Sequence, residues 1–183
     1  MTEFIKFKKI PRLSREIVIT EKIDGTNGVI YIGEDGEFLV GSHTRWITLE
    51  NDNHGFAKWC LENKEELLKL GKGFHYGEWW GQGINRNYGL KEKRFSLFNT
   101  AKWSNYSVRP KCCYVVPILY TGIFDTEIIN GVLQQLKMTG SNAAPGFIKP
   151  EGICIYHTVG KIYFKKTIIN DDKPKNEIKN ESC

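Results

Sequence analysis

Short apolar runs broken by glycine-bearing turns punctuate the chain from end to end, and this constrains its fold more than any other feature. Ile17-Val18-Ile19, Val29 to Ile32, Glu37 to Val40, Phe74 to Trp79, Arg94 to Phe98, Tyr114 to Leu119, Gly152 to His157 and Lys161 to Ile168 each read as a strand. Gly33-Glu34-Asp35-Gly36 turns the second run into the third, and the last two runs form a closing hairpin. Two stretches keep helical spacing instead. Asp52 or Asn53 is placed to cap a helix reaching Leu70, with Phe56, Trp59, Cys60, Leu67 and Leu68 on its apolar side and Gly71 at its end. Asp125 is placed to cap a second, whose stripe is Ile128, Ile129, Val132, Leu133 and Leu136. The spacing therefore predicts one α+β domain over residues 1–169, with antiparallel sheets and flanking helices. From Asn170 the composition turns polar and lysine-rich, which predicts a flexible tail over 170–183.

A net charge of +5 favours a polyanionic partner, because Lys and Arg neutralise phosphates. Aromatics are plentiful at 13%, enough to fill a core and also to stack on bases. Five cysteines form no CxxC pair, and His43, His54, His75 and His157 make no metal-ligand pattern, which argues against a zinc site and for reduced thiols in the cytoplasm. The N-terminus lacks the apolar core of a signal peptide. No apolar run approaches the roughly 18–20 residues of a membrane span, so a soluble, cytoplasmic protein with no membrane partner is expected.

Chemistry concentrates in Glu21-Lys22-Ile23-Asp24-Gly25-Thr26-Asn27. A lysine at a strand end is held rigidly and can face a cleft. It can attack phosphorus only as the neutral amine, so its proton must be removed or its pKa lowered by desolvation or nearby cations. Asp24, two residues on, would share Lys22's face in a strand and could orient the amine. Gly25 lets backbone approach a ligand closely. Alone, this segment is a weak signal and fits a surface strand-turn with a salt bridge better. It is followed, in order, by Gly41-Ser42-His43-Thr44-Arg45-Trp46, Phe74-His75-Tyr76-Gly77-Glu78-Trp79-Trp80-Gly81, Arg94-Phe95-Ser96-Leu97-Phe98-Asn99, Pro150-Glu151-Gly152-Ile153-Cys154 and Tyr163-Phe164-Lys165-Lys166-Thr167.

From about Glu21 to Thr167, the order and spacing of these six segments resemble the covalent nucleotidyltransferases, the superfamily of ATP-dependent ligases and capping enzymes, and within it the RNA ligase domain family. The resemblance implies a nucleotidyltransferase fold, the ATP-grasp-like ligase adenylation domain. It implies ATP and Mg²⁺ (or Mn²⁺) as cofactors, and RNA with 5′-phosphate and 3′-hydroxyl ends as partner, as in RNA repair. Lys22 matches the nucleophile that forms a lysyl–AMP phosphoramidate. Glu21, Asp24, Gly25 and Asn27 fall in the same nucleotide-binding segment. The nearest phage and editing RNA ligases often carry His where Asp24 stands, which leaves the subfamily open. Arg45 matches an arginine near the nucleotide ribose and the nucleic-acid end. Glu78 matches the glutamate that accepts from the ribose hydroxyls, and Phe98 the aromatic that stacks on adenine. Glu151 matches the acidic residue that engages the metal, a role one carboxylate can fill because Mg²⁺ keeps several waters. Lys165 matches the lysine on the α-phosphate. Many members carry a second basic residue two positions on. Here Lys165 and Lys166 are adjacent and would point to opposite faces of a strand; Lys166 is counted with Lys165 among the nucleotide-binding residues, its own role left open.

The Trp79-to-Gly89 stretch is also characteristic of one RNA-ligase-like branch. Its Arg86 could touch phosphates, and its role stays open. Only about sixteen residues follow Thr167, too few for the OB-fold or helical domain that larger relatives add. A domain without that clamp is expected to bind nucleic acid weakly, to form a homodimer or to use an accessory protein. Three alternatives remain at this point: action on DNA, capping with GTP, and a non-catalytic nucleotide- or RNA-binding module.

Overall fold

The computed structural model describes residues 2–172. The strands are β1 (Glu16–Lys22), β2 (Thr26–Ile32), β3 (Phe38–Gly41), β4 (Gly73–Gly81), β5 (Lys93–Leu97), β6 (Cys113–Val115), β7 (Ile118–Ile123), β8 (Gly152–His157) and β9 (Ile162–Thr167). The helices are α1 (Phe56–Glu62), α2 (Lys64–Leu67), α3 (Thr100–Trp103) and α4 (Thr126–Thr139). One sheet has the order β7-β1-β8-β9 and is antiparallel throughout. The other, β3-β2-β4-β5-β6, is antiparallel except that β5 and β6 run parallel, which the turn-by-turn reading did not anticipate. Among the described residues no helix is long and apolar enough to cross a membrane. Most of the tail expected over 170–183 lies outside the described residues.

Strand alternation assigns the faces. In β1, Ile17, Ile19 and Glu21 are buried, while Thr20 and Lys22 occupy the opposite face. The buried apolar pair joins Ile153 and Ile155 of β8 against Ile129, Leu133 and Leu136 of α4. Each such side chain contributes about 1.5–3 kcal/mol when removed from water. Asp125 caps α4 as expected, accepting from the N–H groups of Glu127 at 2.7 Å and Ile128 at 3.2 Å. A second core lies beneath β2, β4 and β5, where Phe56, Trp59, Trp79 and Phe95 pack ring to ring. Gly28 and Gly77 sit opposite each other there, because a Cβ on either would press into the Phe95 ring.

Two expected elements differ, and one short helix was not expected. The helix foreseen from Asp52 to Leu70 is broken into α1, α2 and a 3-10 turn at Leu68–Leu70. Gly55 stands at φ 80° before α1, and the Asn63 side chain donates to Trp59 O at 2.8 Å, offering the backbone a competing bond at the break. The N-cap is Gly55 and not Asp52 or Asn53, although the Asp52 carboxylate reaches the first turn and accepts from the N–H of Ala57 at 2.7 Å and of Lys58 at 3.1 Å. The run Tyr114 to Leu119 divides into β6 and β7 at Val116-Pro117. Pro117 has no N–H to give a ladder, and here the chain passes between sheets: Val116 N–H donates to Leu97 O in one, and Pro117 O accepts from Glu21 N in the other. The short α3, capped by Asn99, has too few turns to show a period.

β1 makes the same passage in the other direction through Ile23-Asp24-Gly25 into β2. Both crossings meet over a third core of Ile23, Trp80, Tyr88, Val116 and Ala144. Lys22 is the last residue of β1 before the crossing and so sits where the two sheets join.

Candidate active site

Lys22 pairs in register with Gly152, which brings Glu151 alongside it. Lys22 Nζ lies 2.5 Å from Glu151 Oε2, the side chains being 19% and 3% exposed. A carboxylate that faces the amine thus comes from 129 residues away in sequence. Asp24 lies beyond the end of β1, where strand alternation no longer applies. Its Oδ2 accepts from Arg86 Nε at 2.9 Å and its Oδ1 from Asn85 Nδ2 at 3.0 Å, while its own N–H donates to Tyr88 Oη at 2.8 Å. The 82–89 loop therefore grips the turn after the lysine. Asn85, Asn87 and Tyr88 all have φ between 43° and 60°, a conformation uncommon outside glycine that Asn tolerates best. Tyr88 is held in it by packing edge-on to Trp80 at 5.0 Å and beside Phe147 at 4.7 Å.

Glu78 closes the site from β4. It pairs in register with Asn27, accepts from Gly25 N–H at 3.0 Å, and sits a loose 3.5 Å from Asn27 Nδ2. Burial pushes its carboxyl up to about 7, aided by the neighbouring Glu151 and Asp24 charges and opposed by the Gly25 bond and Lys22. Gly25 has no room for a side chain: a Cβ would collide with Trp79 O and lie 2.7 Å from Trp80 Cβ.

Cys154, which no sequence signal picked out, shows how the parts share one electrostatic neighbourhood. It pairs in register with Thr20 on one side and Lys165 on the other, so it shares the face that carries Lys22. Burial raises its thiol to about 11, while Lys22 and Lys165 pull it down and Glu151 and Glu78 push it up. Lys165 is thereby placed on the face of the lysine nucleophile candidate. Lys166 pairs with buried Ile153, on the opposite face, and reaches Asp171 at 3.3 Å. Lys165, and not Lys166, therefore shares the strand face of Lys22.

Phe98 is half-buried against the third core, while Phe95 is wholly buried. Arg45 is exposed and donates to Asn51 O at 3.1 Å. Glu21 is 1% exposed and points away from Lys22. It accepts from Ser141 Oγ at 2.6 Å and from the N–H groups of Asn142 and Ala143 at 2.8 and 2.9 Å. It anchors the loop of small residues after α4. Alternation along β1 carries that signal, since neighbours of Lys22 must face the other way. Arg86, Asn85 and Tyr88 were visible only as an unusual loop, because nothing local reveals that it folds back 60 residues onto Asp24.

Residues 15–169 match the RNA ligase family. The chain belongs to the RNA ligase family. Its fold is similar to that of Naegleria gruberi RNA ligase. A variant of that protein solved with AMP and Mn superposes with a TM-score of 0.65 at 21% identity, over 85% of this chain and 50% of that one. A second variant, with ATP and Mn, gives 0.65 at 20% identity over 92% and 52%. An apo variant gives 0.63 at 21% identity over 84% and 50%. This chain thus spans about half the length of the solved relatives it matches. Among curated proteins, none matches it.

The donors around Lys22 suit a hard divalent cation. Glu151, Glu78 and Asp24 place three carboxylates within mutual electrostatic reach of a single lysine. Among the described residues no three acidic, His or Cys side chains converge tightly enough to hold an ion by themselves.

Proposed function

We propose that this domain is an ATP-dependent RNA ligase that takes AMP covalently on Lys22. The single observation that carries the reading is the buried Glu151 carboxylate set 2.5 Å from the Lys22 amine, in a chain whose family joins RNA ends. ATP would enter with its ribose hydroxyls donating to Glu78, its adenine against Phe98, and its phosphates toward Lys165. Lys22 Nζ attacks the α-phosphorus; the N–P bond forms, the bond to pyrophosphate breaks, and Glu151 is within reach of the proton leaving the amine. Lys165 offsets charge developing on the phosphate oxygens. A divalent cation on Glu151 would add to that neutralisation and weaken the carboxylate's hold on the ammonium, favouring the neutral amine. Positioning supplies the remainder, as in phosphoryl transfer generally. Asp24, fixed by Arg86 and Asn85, and Gly25, fixed by Glu78, keep the Lys22 turn rigid.

The adenylyl group then passes to a 5′-phosphate: the P–N bond breaks and a 5′–5′ pyrophosphate forms. A 3′-hydroxyl attacks that 5′-phosphorus, seals the phosphodiester and releases AMP. The Naegleria relatives bind AMP, ATP and Mn in their solved forms, which supports ATP and a divalent metal here. The test is intact mass after incubation with ATP and Mg²⁺, with GTP and a Lys22→Ala protein alongside. A gain of one AMP from ATP alone, lost in the variant, is the expected result. No adduct from folded protein that is not already adenylylated refutes the reading, and a GMP adduct reassigns the nucleotide.

A further inference from the structure

β4 carries Phe74, Tyr76 and Glu78 on one face and His75, Gly77 and Trp79 on the other, buried one. In register, Glu78 pairs with Asn27, Tyr76 with Val29 and Phe74 with Tyr31. Phe98 continues the ladder from β5, its N–H donating to Tyr76 O at 3.0 Å. The nucleotide-binding face around Glu78 and Phe98 therefore runs without a break into a row of aromatics. Their rings touch in sequence: Phe74–Tyr76 centroids are 6.1 Å apart at 11°, Tyr31–Phe74 4.6 Å, and Trp46–Phe74 6.3 Å at 22°. Trp46 reaches the row from the turn after β3, held by a bridge to Gly41. Phe74 and Tyr76 are each 53% exposed and Trp46 48%, although apolar residues of this size are ordinarily covered. Exposed His43 and Arg45 flank Trp46.

We infer that Tyr31, Trp46, Phe74 and Tyr76 form a stacking platform for single-stranded RNA leading to the adenylylation site. The inference rests on the ligase reading for the identity of the strand. Flat aromatics on a sheet face take bases of any sequence, because every base offers a π-face. The Arg45 guanidinium beside Trp46 takes a backbone phosphate, in keeping with the net charge of +5. Continuity fixes the direction: a strand whose end lies at Glu78 and Phe98 crosses Tyr76 first, then Phe74, then Trp46. The platform gives this domain a hold on RNA that comes from its own sheet.

The experiment measures binding of a short 5′-phosphorylated single-stranded RNA by fluorescence anisotropy, without ATP, for wild type, Phe74→Ala, Trp46→Ala and Phe74→Tyr. Intact mass with ATP and Mg²⁺ is followed on the same preparations. Each alanine variant is expected to weaken RNA binding about 5- to 100-fold. Both should take AMP as wild type does, which also shows that they are folded, and Phe74→Tyr should restore affinity. RNA binding unchanged in both alanine variants, or wild type that takes AMP and binds no RNA, overturns the platform. A dimeric wild type that Phe74→Ala makes monomeric overturns it too, by showing the face to be an interface between copies. RNA binding that falls in the variants while no preparation takes AMP upholds the platform and refutes the ligase reading, so the two failures are distinguishable.

Discussion

Replacing Glu78 by Gln should stabilise the fold and damage the activity, with the stability gain set by pH. Burial lifts the Glu78 carboxyl from 4.5 to about 7. The folded protein therefore holds a proton that the unfolded chain has already lost between these values. Stability falls as pH rises across this window, because the native state binds more protons than the unfolded one there. At 1.36 kcal/mol for each pKa unit, ionised Glu78 costs the fold about 3 kcal/mol once the pH exceeds 7. Glutamine is neutral at every pH and can still accept from Gly25 N–H. Glu78→Gln should thus gain up to about 3 kcal/mol at pH 8 and less than about 1 kcal/mol at pH 5, a rise in Tm of roughly 6–12 °C at the higher pH. Urea titrations of both proteins at the two pH values provide the assay. The same substitution should lower AMP loading at pH 8, since an amide offers one acceptor oxygen where the carboxylate offers two to the ribose hydroxyls. A variant no more stable than wild type at pH 8, or a gain independent of pH, would refute the desolvation argument. A destabilising sequence choice retained at a cleft is the signature of a group kept for binding.

Gly25→Ala should lose about 2–4 kcal/mol in urea melts, because its Cβ meets Trp79 O and Trp80 Cβ with no flexible atom to yield; a loss under about 0.5 kcal/mol would show that the turn can shift. Glu21→Ala should cost about 2–4 kcal/mol by stranding the Ser141 hydroxyl and two N–H groups, with AMP loading per folded molecule retained; loading that falls further than the folded fraction would place Glu21 in the nucleotide pocket. Phe98→Ala should raise the ATP concentration for half-maximal loading about 5- to 100-fold with less effect on the maximal rate, and an unchanged ATP dependence would remove the stacking assignment.

Most strands could be read directly, since turns with glycine bracket runs of period two, and α4 had both its cap and its stripe. The failures have local causes. At Tyr114 to Leu119 the apolar run is continuous, yet it serves two sheets, and Pro117 was the only mark of the change. The helix after Asp52 has the right composition, but Asn63 and Gly55 interrupt it through backbone bonding that hydrophobic spacing does not report. The parallel β5–β6 pair has no local signal at all, since pairing direction depends on the path the intervening chain takes.

The site was legible to the extent that its residues are strand-borne. Period two places Lys165 rather than Lys166 with Lys22, and it sends Glu21 to the α4 side, where it holds a loop. It no longer applies two residues past β1, where Asp24 has left the ladder and is bonded by residues of another element. Glu151 takes the amine, and Arg86 takes Asp24. Asp24 is thereby engaged with the guanidinium of the 82–89 loop, so that Glu151 is the carboxylate set directly against Lys22 Nζ. In the proposed reaction, Glu151, set beside Lys22 by the β1–β8 pairing, would take the proton of the amine while both sheets, joined at that crossing, hold Lys22 in place.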